Sequence, residues 1–181
     1  PMNIEHFINN NAPLWMLGED ENADIVLSTR IRLARNLNNV KFPITITEEE
    51  AKYVDDRVAG ILLGINKEGL KFSYFPMEQL SSLQRQILVE KRLISPNLAS
   101  RKMPASVLLT ADESISIMVN EEDHIRIQCL AQNLQLVETY QKAVKIDQWL
   151  NDALTFAYDE QFGFLTSCPT NVGTGLRASV M

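Results

Sequence analysis

The sequence is poor in the side chains that build metal centres and disulfide frameworks. Its 181 residues hold two cysteines, Cys129 and Cys168, and two histidines, His6 and His124. Two cysteines exclude a disulfide scaffold and point to a reducing, cytoplasmic setting. So few imidazoles and thiols argue against a zinc site of the His/Cys kind. Positive charge is short too, with 17 Lys+Arg against 23 Asp+Glu and a net charge of −6. That balance excludes general attraction to nucleic acid or an anionic membrane. No apolar run is long enough to span a bilayer, and PMNIEHFINN lacks the apolar core of a secretory signal. Pro1 ahead of Met2 reads as a vector remnant. The common phosphate-binding signatures are also missing. There is no GxxxxGK[ST], no complete GxGxxG after a strand, and no HRD or DFG pair.

What is present is ordinary for a globular protein, 45% apolar and 22% charged. The length fits one domain with a real core, or part of a larger protein. Residues 3–16 are expected to be at least partly helical with Trp15 as an anchor, and 18–24 form an acidic loop. DIVLSTRIRL (24–33) alternates like a strand. Thr47 and Glu50 form a capping box ahead of a helix over 45–64. Leu80, Leu83, Ile87 and Ile94 predict a helix over 78–94. Strands are expected at 106–110, 114–120 and 124–130. A long helix over 134–158 would bury Leu136, Tyr140, Ala143, Ile146, Leu150, Ala153 and Ala157 on one face. A short strand (162–168) and a Gly-rich loop (169–179) close the chain. Without a βαβ rhythm this reads as α+β, a mainly antiparallel sheet with helices packed on one side. Residues 1–23 form an N-terminal segment and 24–181 a single domain.

Three stretches carry the chemistry. In STRIR, Ser28, Arg30 and Arg32 share one strand face, and Leu27, Ile31 and Leu33 take the core side. Arginines at i and i+2 repel each other unless an anion lies between them; a solvated edge strand is the ordinary alternative. In NEEDHIRIQ, a strand would put Glu122, His124, Arg126 and Gln128 on one face and Ile125, Ile127 and Cys129 in the core. An ion-pair ladder from Glu122 to Arg126 is the alternative there, but it leaves Glu121 and Asp123 without a role. In TSCPTNVGTGLRAS, Gly173 and Gly175 would let backbone N–H groups approach a ligand, and Thr170, Thr174 and Ser179 add hydroxyls. Cys168 sits among hydroxyls with arginines in reach, a setting that favours thiolate. Unpaired, Arg30, Arg32, Arg126 and Arg177 would be strained if they converged. A triphosphate would bind them, because guanidinium forks fit phosphate oxygens. The residues therefore point to a nucleoside triphosphate site with carboxylates and a thiol beside it.

STRIRLARNL, NEEDHIRIQ and CPTNVGTGLRAS, in this order, resemble the phosphagen kinase (ATP:guanido phosphotransferase) family over about residues 24–181. IVLSTRIRLARN, VEKRLISP and LTSCPTNVGTGLRASVM are similar to its bacterial branch, which phosphorylates arginine side chains in proteins during quality control and stress. The resemblance implies a phosphagen-kinase-like catalytic fold that is incomplete at the C-terminus. The chain would be an N-terminal fragment of the enzyme, with little activity alone. ATP and Mg²⁺ are the implied cofactors. Ser28, Thr29, Arg30, Ile31, Arg32, Arg126, Arg177, Ala178, Ser179, Val180 and Met181 are the implied nucleotide contacts. Glu122 would bind the substrate guanidinium and accept its proton, Glu121 would hold Mg²⁺ through water, and Cys168 would face the guanidinium. Arg92 stands where the family commonly has a histidine. The implied partners are arginine-bearing protein substrates, a zinc-finger-type activator, a Clp-type chaperone and a second copy of the full-length enzyme. A kinase of free arginine and a non-catalytic nucleotide-binding regulator are the alternatives.

Overall fold

The computed structural model describes residues 2–10, 12–13, 28–65 and 69–181. The acidic loop, Trp15 and the start of the DIVLSTRIRL stretch lie outside them. Among the described residues, five α-helices, α1 (Ile4–Ile8), α2 (Glu48–Gly64), α3 (Ser82–Glu90), α4 (Pro96–Ala99) and α5 (Leu136–Asn151), accompany a six-stranded sheet. Its strands are β1 (Ser28–Arg35), β2 (Phe72–Pro76), β3 (Ser106–Thr110), β4 (Ile115–Val119), β5 (Ile125–Gln132) and β8 (Leu176–Val180), in the order β2-β3-β4-β5-β1-β8. All five pairings are antiparallel. A small ribbon, β6 (Tyr158–Asp159) with β7 (Gly163–Phe164), lies apart.

The capping box opens α2 as read: Thr47 Oγ1 accepts from the Glu50 N–H at 3.2 Å, and Glu50 accepts from the Thr47 N–H at 3.0 Å. The single helix expected over 78–94 is broken. A second capping box, Ser81 with Gln84, starts α3 late. Arg92 then reverses the chain with φ at 61°, and Pro96 opens α4 as an N1 residue. Leu83 consequently faces solvent. The last long helix stops at Asn151, and its buried stripe is Thr139, Ala143, Ile146 and Leu150. Leu136 and Tyr140 are outside that stripe because Thr139, whose hydroxyl bonds back to the Gln135 carbonyl, occupies the buried position.

Helices cover both faces rather than one. On one face α2 and α5 enclose Ile31, Leu33, Ile115, Ile117, Ile125, Ile127 and Cys129. On the other, Phe7, Leu88, Leu93 and Leu98 from α1, α3, the following turn and α4 pack on Phe75, Val107, Leu109 and Met118. This double burial explains why SVLLT and ISIMV are buried at every position. The second helical layer covers β2, β3 and β4, and the functional groups lie on the same face beyond it, over β5, β1 and β8.

Candidate active site

Register decides which side chains share that surface. Arg32 lies opposite Gln128 on β5 and Arg177 on β8, Arg30 opposite Leu130 and Ser179, and Ala34 opposite Arg126. Residues directly opposite in an antiparallel pair point to the same side. Arg30, Arg32, Arg126, Arg177 and Ser179 therefore form one surface. Arg30 Nε donates to Ser179 Oγ at 3.2 Å. Arg92 joins from the turn after α3, its Nη1 2.9 Å from Met181 Sδ and its carbonyl accepting from Gln128 Nε2 at 2.8 Å. Burial, then the charges of Arg92, Arg177 and Arg126, lower the pKa of Arg30. Burial, then Arg30, Arg126 and Arg177, bring Arg32 down to about 10, with Glu121 opposing. An anion beside such a patch would favour the charged form of each guanidinium.

Thr29, Ile31, Ala178 and Val180 take the opposite face by the same register. Ile31 is core. The Thr29 hydroxyl donates to the Asn133 carbonyl at 2.7 Å and accepts from the Gln135 N–H at 2.9 Å, so it fastens the start of α5. Ser28 is buried and pairs its backbone with Met181 at 2.8 and 2.9 Å.

NEEDH is a hairpin tip, not the strand start expected at 124; β5 begins at Ile125. His124 consequently leaves the arginine surface. It is 0% exposed, accepting from the Leu37 N–H at Nδ1 (2.9 Å) and lying 2.8 Å from the Lys41 carbonyl at Nε2. Asp123 is equally buried and receives Asn36 Nδ2 and the Ser167 N–H, each at 2.7 Å. The Ser167 hydroxyl donates to the Glu122 carbonyl at 2.8 Å. These bonds replace most of the strand expected at 162–168. They also bring Cys168 beside Glu122.

The two glutamates differ sharply. The Glu121 side chain is 3% exposed and the Glu122 side chain 42%. Glu121 Oε1 accepts from Ser95 Oγ at 3.0 Å and Asn97 Nδ2 at 3.1 Å, and Oε2 lies 2.7 Å from Arg126 Nη2. Both of its oxygens are engaged, so it does not fit a water-mediated seat for Mg²⁺. Among the described residues no group of three His, Cys, Asp or Glu could hold a metal ion. Glu122 reaches the same Arg126 nitrogen at 3.3 Å and otherwise faces outward. Glu122, Cys168, Arg32, Arg126 and Arg177 line one cavity of about 200 Å³. Cys168 Sγ is 3.0 Å from the Thr170 hydroxyl.

The glycines serve the fold instead of a ligand. The Gly173 N–H donates to the Phe164 carbonyl at 3.1 Å and that of Gly175 to the Asn171 carbonyl at 3.0 Å. The Thr174 hydroxyl accepts from the Leu176 N–H at 3.2 Å. Beyond this turn the expected loop is β8. Arg35 anchors the turn, donating to the Thr174 carbonyl at 2.9 Å, pairing with Asp147 at 2.9 Å and stacking 3.7 Å above Phe164. Arg35, Asn36, Ser95 and Asn97 escaped the sequence reading. No spacing links Ser95 or Asn97 to a glutamate so distant in sequence.

Residues 53–181 match the ATP:guanido phosphotransferase, C-terminal catalytic domain family. The chain is 49% identical over 181 residues to a protein-arginine kinase of Bacillus licheniformis, covering 99% of this chain and 50% of that protein. It is likewise 49% identical to one of Shouchella clausii, covering 99% and 51%. The chain thus spans about half the length of the curated relatives it matches. Among solved structures, the duplicated taurocyamine kinase of Schistosoma mansoni, with bound transition-state-analogue components, superposes with a TM-score of 0.81 at 24% identity, covering 94% of this chain and 25% of that one. Lombricine kinase superposes at 0.73 and 21% identity, covering 98% and 56%.

Proposed function

The chain belongs to the ATP:guanido phosphotransferase family, and we propose that its site serves phosphoryl transfer from ATP to the guanidinium of arginine side chains in proteins. The observation that carries this reading is the shared cavity. A carboxylate and a thiol meet three guanidinium groups there, so a cationic acceptor and an anionic donor can lie side by side.

A guanidinium is a poor nucleophile because its lone pairs are delocalised. Removing its proton near pH 7 before attack costs on the order of 8 kcal/mol, at 1.36 kcal/mol per unit from a pKa near 12.5–13.8. A carboxylate cannot bear that cost in advance, so proton transfer to Glu122 accompanies attack on the γ-phosphorus. Glu122 and Cys168 orient the acceptor nitrogen. Arg30, Arg32, Arg126 and Arg177 hold the phosphates in line and neutralise charge that builds on them, the main source of rate in phosphoryl transfer. The Mg²⁺ that this chemistry implies would arrive on the triphosphate.

Protein substrates are favoured over a free guanidine by the names and identity of the bacterial relatives. Radiolabelled ATP offered with either an unfolded arginine-rich protein or free arginine tests the choice. Acid-labile label on protein supports the proposal. Label on arginine alone replaces it with a metabolic guanidine kinase, and nucleotide binding without label in any active-site context replaces it with a regulator.

A further inference from the structure

We infer that Ser95 and Asn97 are positioning residues, which lock Glu121 so that it takes the larger share of Arg126, holds that guanidinium on the nucleotide and limits its pairing with Glu122 to a longer contact. The inference rests on the reading of Arg126 as a phosphate contact.

Arg126 Nη2 stands between two carboxylates, 2.7 Å from Glu121 and 3.3 Å from Glu122. Their environments decide which one holds it. Glu122 is on the cavity wall with 42% of its side chain exposed. Glu121 is buried, where an ionised carboxylate is tolerated only with a full set of partners. Ser95 and Asn97 supply that set on Oε1, leaving Oε2 for the guanidinium. Ser95 is itself fixed, since its hydroxyl oxygen accepts from the Leu98 N–H at 3.1 Å as the cap of α4. Leu93, Ile94 and Leu98 pin this segment into the second core, and Ser116 Oγ bonds the Leu93 carbonyl. The chain of contacts therefore runs from a rigid non-strand segment to a buried carboxylate and on to a guanidinium at the cavity.

The same segment carries Arg92, whose charge is the first to bear on Arg30. One short stretch, 92–97, thus sets two points of the anion surface. Freed from Ser95 and Asn97, Glu121 would rotate, and Arg126 would leave it and close from 3.3 Å fully onto Glu122. That shift would damage both halves of the site at once, withdrawing a cation from the phosphates and covering the carboxylate meant for the acceptor.

The test is a double-mutant cycle on ATP affinity, measured by titration calorimetry on the full-length protein. Ser95→Ala/Asn97→Ala is expected to weaken ATP about tenfold, the equivalent of one charge-assisted hydrogen bond. In an Arg126→Ala background the same pair is expected to cost nothing more. Equal losses in both backgrounds would overturn the inference, because a merely structural role does not depend on Arg126. Asn97→Ala alone leaves the Ser95 hydroxyl on Glu121 and keeps the fold, and it is expected to give a smaller loss with the same dependence. A ligand-free crystal structure of the double variant tests the inference apart from nucleotide binding: Arg126 released from Glu121 and paired with Glu122 alone supports it, and Arg126 still paired with Glu121 sinks it. A parent protein that binds no ATP would overturn the functional reading, while this crystallographic result would still decide the positioning role.

Discussion

Arg126 and Glu121 meet 2.7 Å apart in a buried pair, while Glu122, the next residue, keeps nearly half its side chain in solvent. Adjacent carboxylates at one hairpin tip therefore differ: both touch Arg126, and only Glu122 also opens to solvent, where the proposed function places the acceptor cation. Glu122→Gln keeps size and removes the proton acceptor. Transfer is expected to fall by about 10²–10⁴-fold with ATP affinity changed less than about twofold. Initial rates with parallel calorimetry check this; loss of ATP binding would place Glu122 in the nucleotide site instead.

The arginine surface brings like charges together, and an anion bound there would relieve their repulsion. Arg32 is partly buried among three other guanidinium groups. Arg32→Ala is expected to weaken ATP about 10- to 100-fold, as for a lost charge-assisted hydrogen bond. The same change is expected to stabilise the ligand-free protein by about 1 kcal/mol, or ~3 °C in melting temperature. Calorimetric melts with and without ATP would show the two effects in opposite directions. A variant that melts lower in both would show that Arg32 is structural.

Alternation made most of this surface legible. Once STRIR is a strand, Arg30 and Arg32 must share a face, and Ile127 and Cys129 must be core. Thr47 and Glu50 marked the start of α2 because a capping box is local. What escaped was non-local or cut across period. His124 lay at an even position with Arg126, but the strand begins only after it, and burial against 36–42 takes the imidazole to another site. LRASV was hidden by the glycines before it, although its alternation is plain once β1 is seen to need a neighbour. The bonds from Ser95 and Asn97 to Glu121 leave no mark in any spacing.

Burial lowers the pKa of His124 below its ordinary 6.5, against the opposing influence of the Lys41 carbonyl, Asp123 and Glu50. The unfolded chain therefore takes up a proton in a window where the folded protein does not. Stability is expected to be full above that window and to fall as pH drops below about 6.5, by at most ~1.4 kcal/mol per unit for one proton. Urea titrations from about pH 7 to pH 5 would show this slope. His124→Gln is expected to be less stable at pH 7 and to show a shallower slope there; an unchanged slope would assign the effect elsewhere.

Gly173 and Gly175 both have positive φ, 114° and 64°, yet their surroundings differ. A Cβ on Gly173 would meet nothing nearer than the Phe162 carbonyl at 3.8 Å. One on Gly175 would lie 2.5 Å from the Ala34 carbonyl oxygen and 2.5 Å from Arg35 Nη1. Gly173→Ala is therefore expected to cost only the conformational strain, about 1–2 kcal/mol. Gly175→Ala adds a clash with backbone on β1 and is expected to cost about 3 kcal/mol or more. The greater effect is on function. The Gly175 carbonyl accepts from the Ala34 N–H at 2.9 Å, the first bond of the β1–β8 ladder. Pushing it away opens that ladder at the end nearest Arg177, which then leaves its place opposite Arg32. ATP affinity should fall with Gly175→Ala and hold with Gly173→Ala. Equal behaviour of the two would show that the turn, rather than the contact with β1, sets the arginine register.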